Sequence, residues 1–287
     1  MGFVLAALAA LGACTQAAPP PAVTGPAVEV SRDVGPYSQA LSDGRYAVAV
    51  AGLRSVVQAH PDHTEAKLLL AQAYFGQADL AQAGRLFAEV ERQATTPRQL
   101  AEARTGRGLI VLYEGDADEA ENLFRAALRD DRSSAEAWNG LGQSLDRQGR
   151  HRDAVDAFET ALERRPGWPV ALNNLGLAHL HSGQHATAEA MFRRAYAAEP
   201  NSAVIAANLR LAVALQGRYE EALAGVMPDQ EADVLNNVGY AAMVRGDLGE
   251  AGRYLQRAQA VSPTFHEEAD RNLRLLETLR AQRGAGA

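Results

Sequence analysis

The sequence is poor in the residues that most site chemistry needs. It has one cysteine, Cys14, so the chain can close no disulfide on itself and cannot hold zinc through a set of thiolates. Lysine is as scarce: Lys67 stands alone, and nearly all positive charge is arginine. The formal net charge is −7, which argues against a general phosphate-binding surface and excludes nucleic acid as the expected partner. Aromatic residues make up only 6% of the chain, while alanine is abundant, as close helix–helix contacts require. The uncharged apolar run Phe3–Ala13 falls well short of the roughly 20 residues that span a bilayer. There is no G-x-S-x-G elbow, no H-E-x-x-H, no P-loop and no evident nucleophile–base pair. No catalytic activity and no cofactor are therefore expected. Gly106-Arg107-Gly108 and Gly140-Leu141-Gly142 look like fragments of phosphate loops, but both fall inside helical segments and neither follows a strand. His179, His181 and His185 lie close in sequence without a carboxylate at the spacing of a catalytic zinc motif, so no metal site is expected.

What the chain does have is a repeat. Two 34-residue units stand back to back at 135–168 and 169–202. The first carries Trp138, Leu141, Gly142, Leu145, Ala154, Phe158, Ala161 and Pro166; the second carries Leu172, Leu175, Gly176, His179, Ala188, Phe192, Ala195 and Pro200. Unit positions 4, 7, 8, 11, 20, 24, 27 and 32 are filled alike in both. This resembles the tetratricopeptide repeat (TPR), a helix A–turn–helix B unit. Gly at position 8 and Ala at 20 let the two helices approach, the larger groups fill the space between them, and Pro at 32 closes helix B. The fold predicted is all-α, a TPR superhelix (a right-handed α-solenoid).

The same register extends both ways. Residues 30–63 read as a degenerate N-terminal cap whose helix A is interrupted by Pro36. Units then start at 64, 101, 135, 169, 203 and 232, so the array occupies 64–265. Asp62 is placed to cap the helix at 64. Three residues are added in the stretch Arg92–Gln99. The unit at 203 is only 29 residues long, with Arg210 in place of glycine and Val226 in place of the aromatic. A capping helix, with Thr264 at its start, and a short tail complete the chain over 266–287.

The N-terminus reads as an address. Residues 1–13 suit the apolar core of a signal peptide, and Leu11-Gly12-Ala13-Cys14 resembles a bacterial lipobox with Cys14 as the lipidated residue. No Lys or Arg precedes Phe3, which points to a start further upstream. Residues 14–29, rich in Pro and Ala, form a tether. Thr15 follows Cys14 where inner-membrane retention would call for Asp. The expectation is a bacterial protein lipid-anchored to the outer membrane on its periplasmic face.

Candidate binding residues follow from the TPR register. Asn174, Asn208 and Asn237 all fall at position 6, with Asn272 aligned after a shift of one. Position 6 faces the concave groove in the resemblance, where an amide offers both a donor and an acceptor to an extended peptide. Leu177, Leu180, Leu211, Ala214, Tyr240 and Met243, at positions 9 and 12, would form an apolar floor.

Ala137–Gly142 with Leu145-Asp146 and Gly149–His151, then Leu172–Leu177 with Ser182-Gly183, and Asn208–Ala212 with Leu215–Ala222, are together similar to the TadD family of Flp/Tad (tight adherence) pilus assembly lipoproteins. The resemblance covers about 64–280. It implies a non-enzymatic scaffold that binds a protein partner, the pilus secretin or another assembly component, and helps place it. A periplasmic TPR adaptor for cell-wall enzymes is the alternative within binding proteins. An enzyme with an unrecognised site is the alternative from another class.

Overall fold

Alanine-rich stretches with apolar residues three and four apart give helices throughout. The computed structural model describes residues 30–262 and 267–285; residues 1–29, on which the expected signal peptide, Cys14 and tether fall, and Thr264 lie outside the described residues. Among the described residues there are fifteen helices and no strand. They pair as α1 (Gly35–Ser42) with α2 (Tyr46–Ala59), α3 (Thr64–Gly76) with α4 (Leu80–Gln93), α5 (Pro97–Glu114) with α6 (Ala117–Asp130), and α7 (Ala135–Arg147) with α8 (His151–Arg164). Then come α9 (Pro169–His181) with α10 (His185–Ala198), α11 (Ala203–Ala214) with α12 (Tyr219–Leu223), α13 (Glu231–Arg245) with α14 (Leu248–Val261), and α15 (Glu267–Ala285). Each helix packs on its sequence neighbour, and each helix A from α3 onward also touches the next helix A. The result is an α-solenoid of helix pairs. No described helix is long and apolar enough to cross a membrane.

Several ends differ from the sequence expectation. Pro36 opens α1 in its first turn, where the missing N–H costs nothing, so it does not interrupt a helix. The cap of α3 is His63, whose ring nitrogen accepts from the Ala66 N–H; Asp62 instead pairs with Arg32 at the surface. Helix α5 begins four residues before the repeat register does, at Pro97, because Thr96 caps it by accepting from the Gln99 N–H. Part of the irregular stretch at 92–99 is thus a first helical turn. Helix α15 runs on to Ala285, into the stretch that the sequence reads as a tail.

The core repeats with the sequence. Phe124, Phe158 and Phe192, all at position 24, are 0–1% exposed. Each lies on the glycine of its own helix A. A Cβ on Gly142 would sit 2.6 Å from the Phe158 ring, one on Gly176 2.6 Å from Phe192, and one on Gly108 2.8 Å from Phe124. Glycine is needed there because the ring occupies the place of its side chain. The lone lysine, Lys67, is buried on α3, and its Nζ donates to Glu89 Oε1 and Gln93 Oε1 of α4 at 2.6 Å each.

Position 15 falls at the turn from helix A to helix B, and the chain takes positive φ there. Gly44, Gly115, Gly149, Gly183, Gly217 and Gly246 supply it in six units. In the unit at 64 that place belongs to Ala78, with φ 60°, where a Cβ crowds the following carbonyl at a cost of roughly 1–2 kcal/mol. Ala78→Gly is expected to stabilise the chain by up to about 1 kcal/mol, the relief being partly offset by the greater freedom of unfolded glycine. Chemical denaturation of the two proteins checks this; a midpoint that falls on substitution would contradict it.

Candidate partner-binding surface

The asparagines expected in the groove form a ladder between units. Asn174 Nδ2 on α9 donates to Asn139 Oδ1 on α7 at 3.0 Å. Asn208 on α11 donates to Asn173 on α9 at 2.9 Å. Asn272 on α15 donates to Asn236 on α13 at 2.8 Å. A 34-residue period brings position 6 of one helix A beside position 5 of the one before. Position 6 therefore reaches back to the preceding unit, even where its amide stays partly solvated. The glycines found there in earlier units agree: a Cβ on Gly106 or Gly140 would lie 2.3 Å from Phe87 or Phe124 of the unit before. Asn174, Asn208 and Asn272 are accordingly half-buried, and Asn139 and Asn236 are buried.

One rung is open. Asn237 stands at position 6 of its unit, but position 5 of the preceding helix is Ala207, which has no amide to offer. Asn237 is exposed, and its Nδ2 has no hydrogen-bond partner among the described residues; its Oδ1 accepts weakly from Asn236 at 3.5 Å. It lines a small recess with Ala207, Arg210, Leu211, Val234 and Val238.

The truncated unit lies next to this opening. Helix α12 has five residues and ends at Leu223, so position 24, held here by Val226, lies beyond the helix and brings no aromatic to Arg210. Arg210 takes up the space that a glycine–phenylalanine contact fills elsewhere: its Nη1 donates to the carbonyls of Ala222 at 2.7 Å and Ala224 at 2.9 Å, closing the short helix. The unit is pinned on both sides. Tyr219 stacks at a tilt on Tyr254 of α14, with ring centroids 5.6 Å apart. Glu189 of α10 accepts from Arg218, from Gln216 at 2.7 Å and from Arg193 at 2.9 Å.

The expected apolar floor divides. Leu177, Leu180 and Leu211 are half-buried, leaning on the core, and Tyr240 is 44% exposed. Met243 and Ala214 are not available to a partner, at 6% and 0% exposed, because they belong to the core between α11, α13 and α14. Sequence reasoning missed Val170 and Val204, 47% and 65% exposed at position 2 of α9 and α11. Two valines at one register position were the signal for them.

Single substitutions along the ladder should separate. Asn174→Ala or Asn208→Ala removes a half-buried inter-unit hydrogen bond and is expected to cost about 0.5–1.5 kcal/mol. Asn237→Ala should change stability by less than about 0.5 kcal/mol. Denaturation curves of the three variants test this; equal losses at all three positions would mean the rung at Asn237 is closed.

The charge cluster at Glu189 sets an acid limb. The Arg218 guanidinium beside it, helped by Gln216 and Arg193 against the opposing effect of burial, holds the carboxyl at about 2 against an ordinary 4.5. A lowered folded-state pKa means stability that is complete above pH 4.5 and lost as pH falls from there towards about 2. With Arg218 partly solvated, the loss is about 1–2 kcal/mol. Glu189→Gln should be less stable near neutrality and show a shallower decline between pH 5 and 3, measured by denaturation at each pH. Parallel curves would contradict the assignment.

Helix pairs in a largely 34-residue period, glycine–phenylalanine contacts within three successive pairs and an unpaired polar rung define a solenoid scaffold for binding other chains. Two tetratricopeptide repeat family models match, one over residues 40–105 and the other over 105–169 and 141–203. Together they cover more than half of the chain, which belongs to the tetratricopeptide repeat family. No curated protein sequence matches it significantly. Among solved structures it is similar to a chain of the APC/C hetero-tetramer Cut9–Hcn1, at 19% identity and a TM-score of 0.65, over 84% of this chain and 48% of that one. It is also similar to Pseudomonas aeruginosa pilF, at 21% identity and a TM-score of 0.54, over 72% of this chain and 95% of that one. The chain thus spans about half the length of the Cut9–Hcn1 chain, and at these identities the likeness is one of fold.

Proposed function

We propose that this chain is a non-enzymatic scaffold lipoprotein, anchored through Cys14 to the periplasmic face of the outer membrane, that assists assembly or placement of an Flp/Tad-type pilus secretin. The TPR fold supports protein–protein binding as the mode of action. The resemblance of 64–280 to TadD supports the pilus assignment, and the lipobox followed by the 14–29 tether supports the anchor. The observation that carries the binding site is the open rung at Asn237. There a solvated amide, the half-exposed Tyr240 and the half-buried Leu211 lie beside the truncated unit. A segment of the partner supplies the backbone amide that Ala207 does not, and Tyr240 packs on its apolar side chains.

The test uses the full chain co-expressed with an Flp/Tad secretin. Asn237→Ala with Tyr240→Ala should weaken co-purification about tenfold, the loss of one hydrogen bond and one aromatic contact, while the melting curve stays native. Undiminished association would remove this surface from the function. Cys14→Ser, expressed from the native start, should lose palmitate label and outer-membrane fractionation. Retention of both would remove the anchor.

A further inference from the structure

We infer that Asp146, His151 and His181 form a binding site for a divalent transition-metal ion of the zinc type, placed between two successive repeats. Asp146 comes from the last turn of α7, His151 from the first residue of α8, and His181 from the end of α9 one unit later. The turn at Gly149 and the 35-residue step from Asp146 to His181 bring them to one point. Both imidazoles present Nδ1 to the same carboxylate, His151 at 2.7 Å from Oδ1 and His181 at 2.9 Å from Oδ2. The rings are 5.1 Å apart at an interplanar angle of 47°. One ligand atom from each of the three lies within 4.8 Å of the other two. His179, the neighbour that the sequence groups with them, is turned away and bonds Gln184 Oε1 at 2.6 Å.

The donor set selects the ion. Two imidazole nitrogens and one carboxylate oxygen suit zinc, cobalt and nickel, whereas calcium and magnesium require more oxygens than this cluster offers. Bonds of about 2.0–2.2 Å in a tetrahedral arrangement hold ligand atoms roughly 3.3 Å apart. The two nitrogen–oxygen distances therefore need to widen by about half an ångström, and each ring binds the ion as the tautomer with its proton on Nε2, the ion taking the place of the Nδ1 proton that now faces the carboxylate. His181 is 49% exposed, which leaves room for water as the fourth ligand. The neighbouring Arg150 is engaged by Glu121 and Asp153, so its charge does not stand unopposed beside the ion. A bound ion clips the end of one helix A and the start of its helix B to the next helix A, and so sets the angle between the two most regular units.

The test takes the tag-free full chain, stripped with chelator and titrated with Zn2+ alone by calorimetry and with Co2+ by visible absorbance. One ion per chain is expected. The Tm should rise by about 5–10 °C when free zinc exceeds its dissociation constant a hundredfold, and Ca2+ should give no shift. His151→Gln, Asp146→Asn and His181→Gln should each weaken binding by roughly tenfold or more. The metal-free melt of the exposed His181 variant should stay native. His185→Gln should bind as before. No saturable uptake of zinc would overturn the site, as would full binding by His151→Gln or loss of binding in His185→Gln; the last would identify a surface chelate of His181 and His185.

Discussion

Phe158→Ala is expected to lower the melting temperature by about 10 °C. The ring is 1% exposed and lies on the bare backbone of Gly142, in the cluster that joins α5, α6, α7, α8 and α9. Removing a buried phenylalanine costs about 3–5 kcal/mol, the transfer of the ring plus the cavity it leaves. A chain of this size loses roughly 2–4 °C per kcal/mol. The cavity cannot collapse easily, since the facing residue has no side chain to move into it. Phe158→Leu, which keeps most of the volume, should lose less than half as much. Because neighbouring units share this cluster, the transition should shift as a whole. A melt in which only part of the helical signal moves would show that the units unfold independently.

Arg210→Gly should destabilise the chain although it restores the residue that the repeat prefers at this position. In a full-length unit glycine makes room for an aromatic of helix B. Here α12 stops at Leu223, and Val226 stands where the aromatic would be. The guanidinium instead closes the last carbonyls of the short helix, with two hydrogen bonds of 2.7 and 2.9 Å. Losing them costs about 1.5–3 kcal/mol for a charged donor, and glycine in a helix adds about 1 kcal/mol. Arg210→Ala should therefore lie between wild type and Arg210→Gly in chemical denaturation. A stabilised Arg210→Gly would mean that the short helix needs no such closure. The same substitution should open the recess beside Asn237, so its effect on secretin co-purification bears on the binding surface too.

The all-α repeat fold was legible in the chain alone, and the reason is local. Glycine at position 8, alanine at 20 and phenylalanine at 24 meet within one helix pair, so each 34-residue unit carries its own packing instructions. Repetition then makes them readable. The shortened unit was equally visible, from the missing five residues and from Arg210 and Val226. Helix starts were less so: Thr96 and His63 cap through side chains whose choice over Asp62 or a later residue depends on where the neighbouring backbone runs.

What the sequence by itself determined is therefore the period, the fold class and the place where the period breaks. What only the tertiary structure decided is how one unit meets the next. The register places position 6 toward a groove; the structure adds that Asn174, Asn208 and Asn272 each bond an asparagine of the preceding helix A, while Asn237 has no such partner among the described residues. Met243 passed for surface and is core. His181 had no carboxylate nearby in sequence and finds Asp146 thirty-five residues away. Each of these depends on the rotation between successive units. That rotation is set by the summed packing of two helix pairs, which no single unit's residues specify.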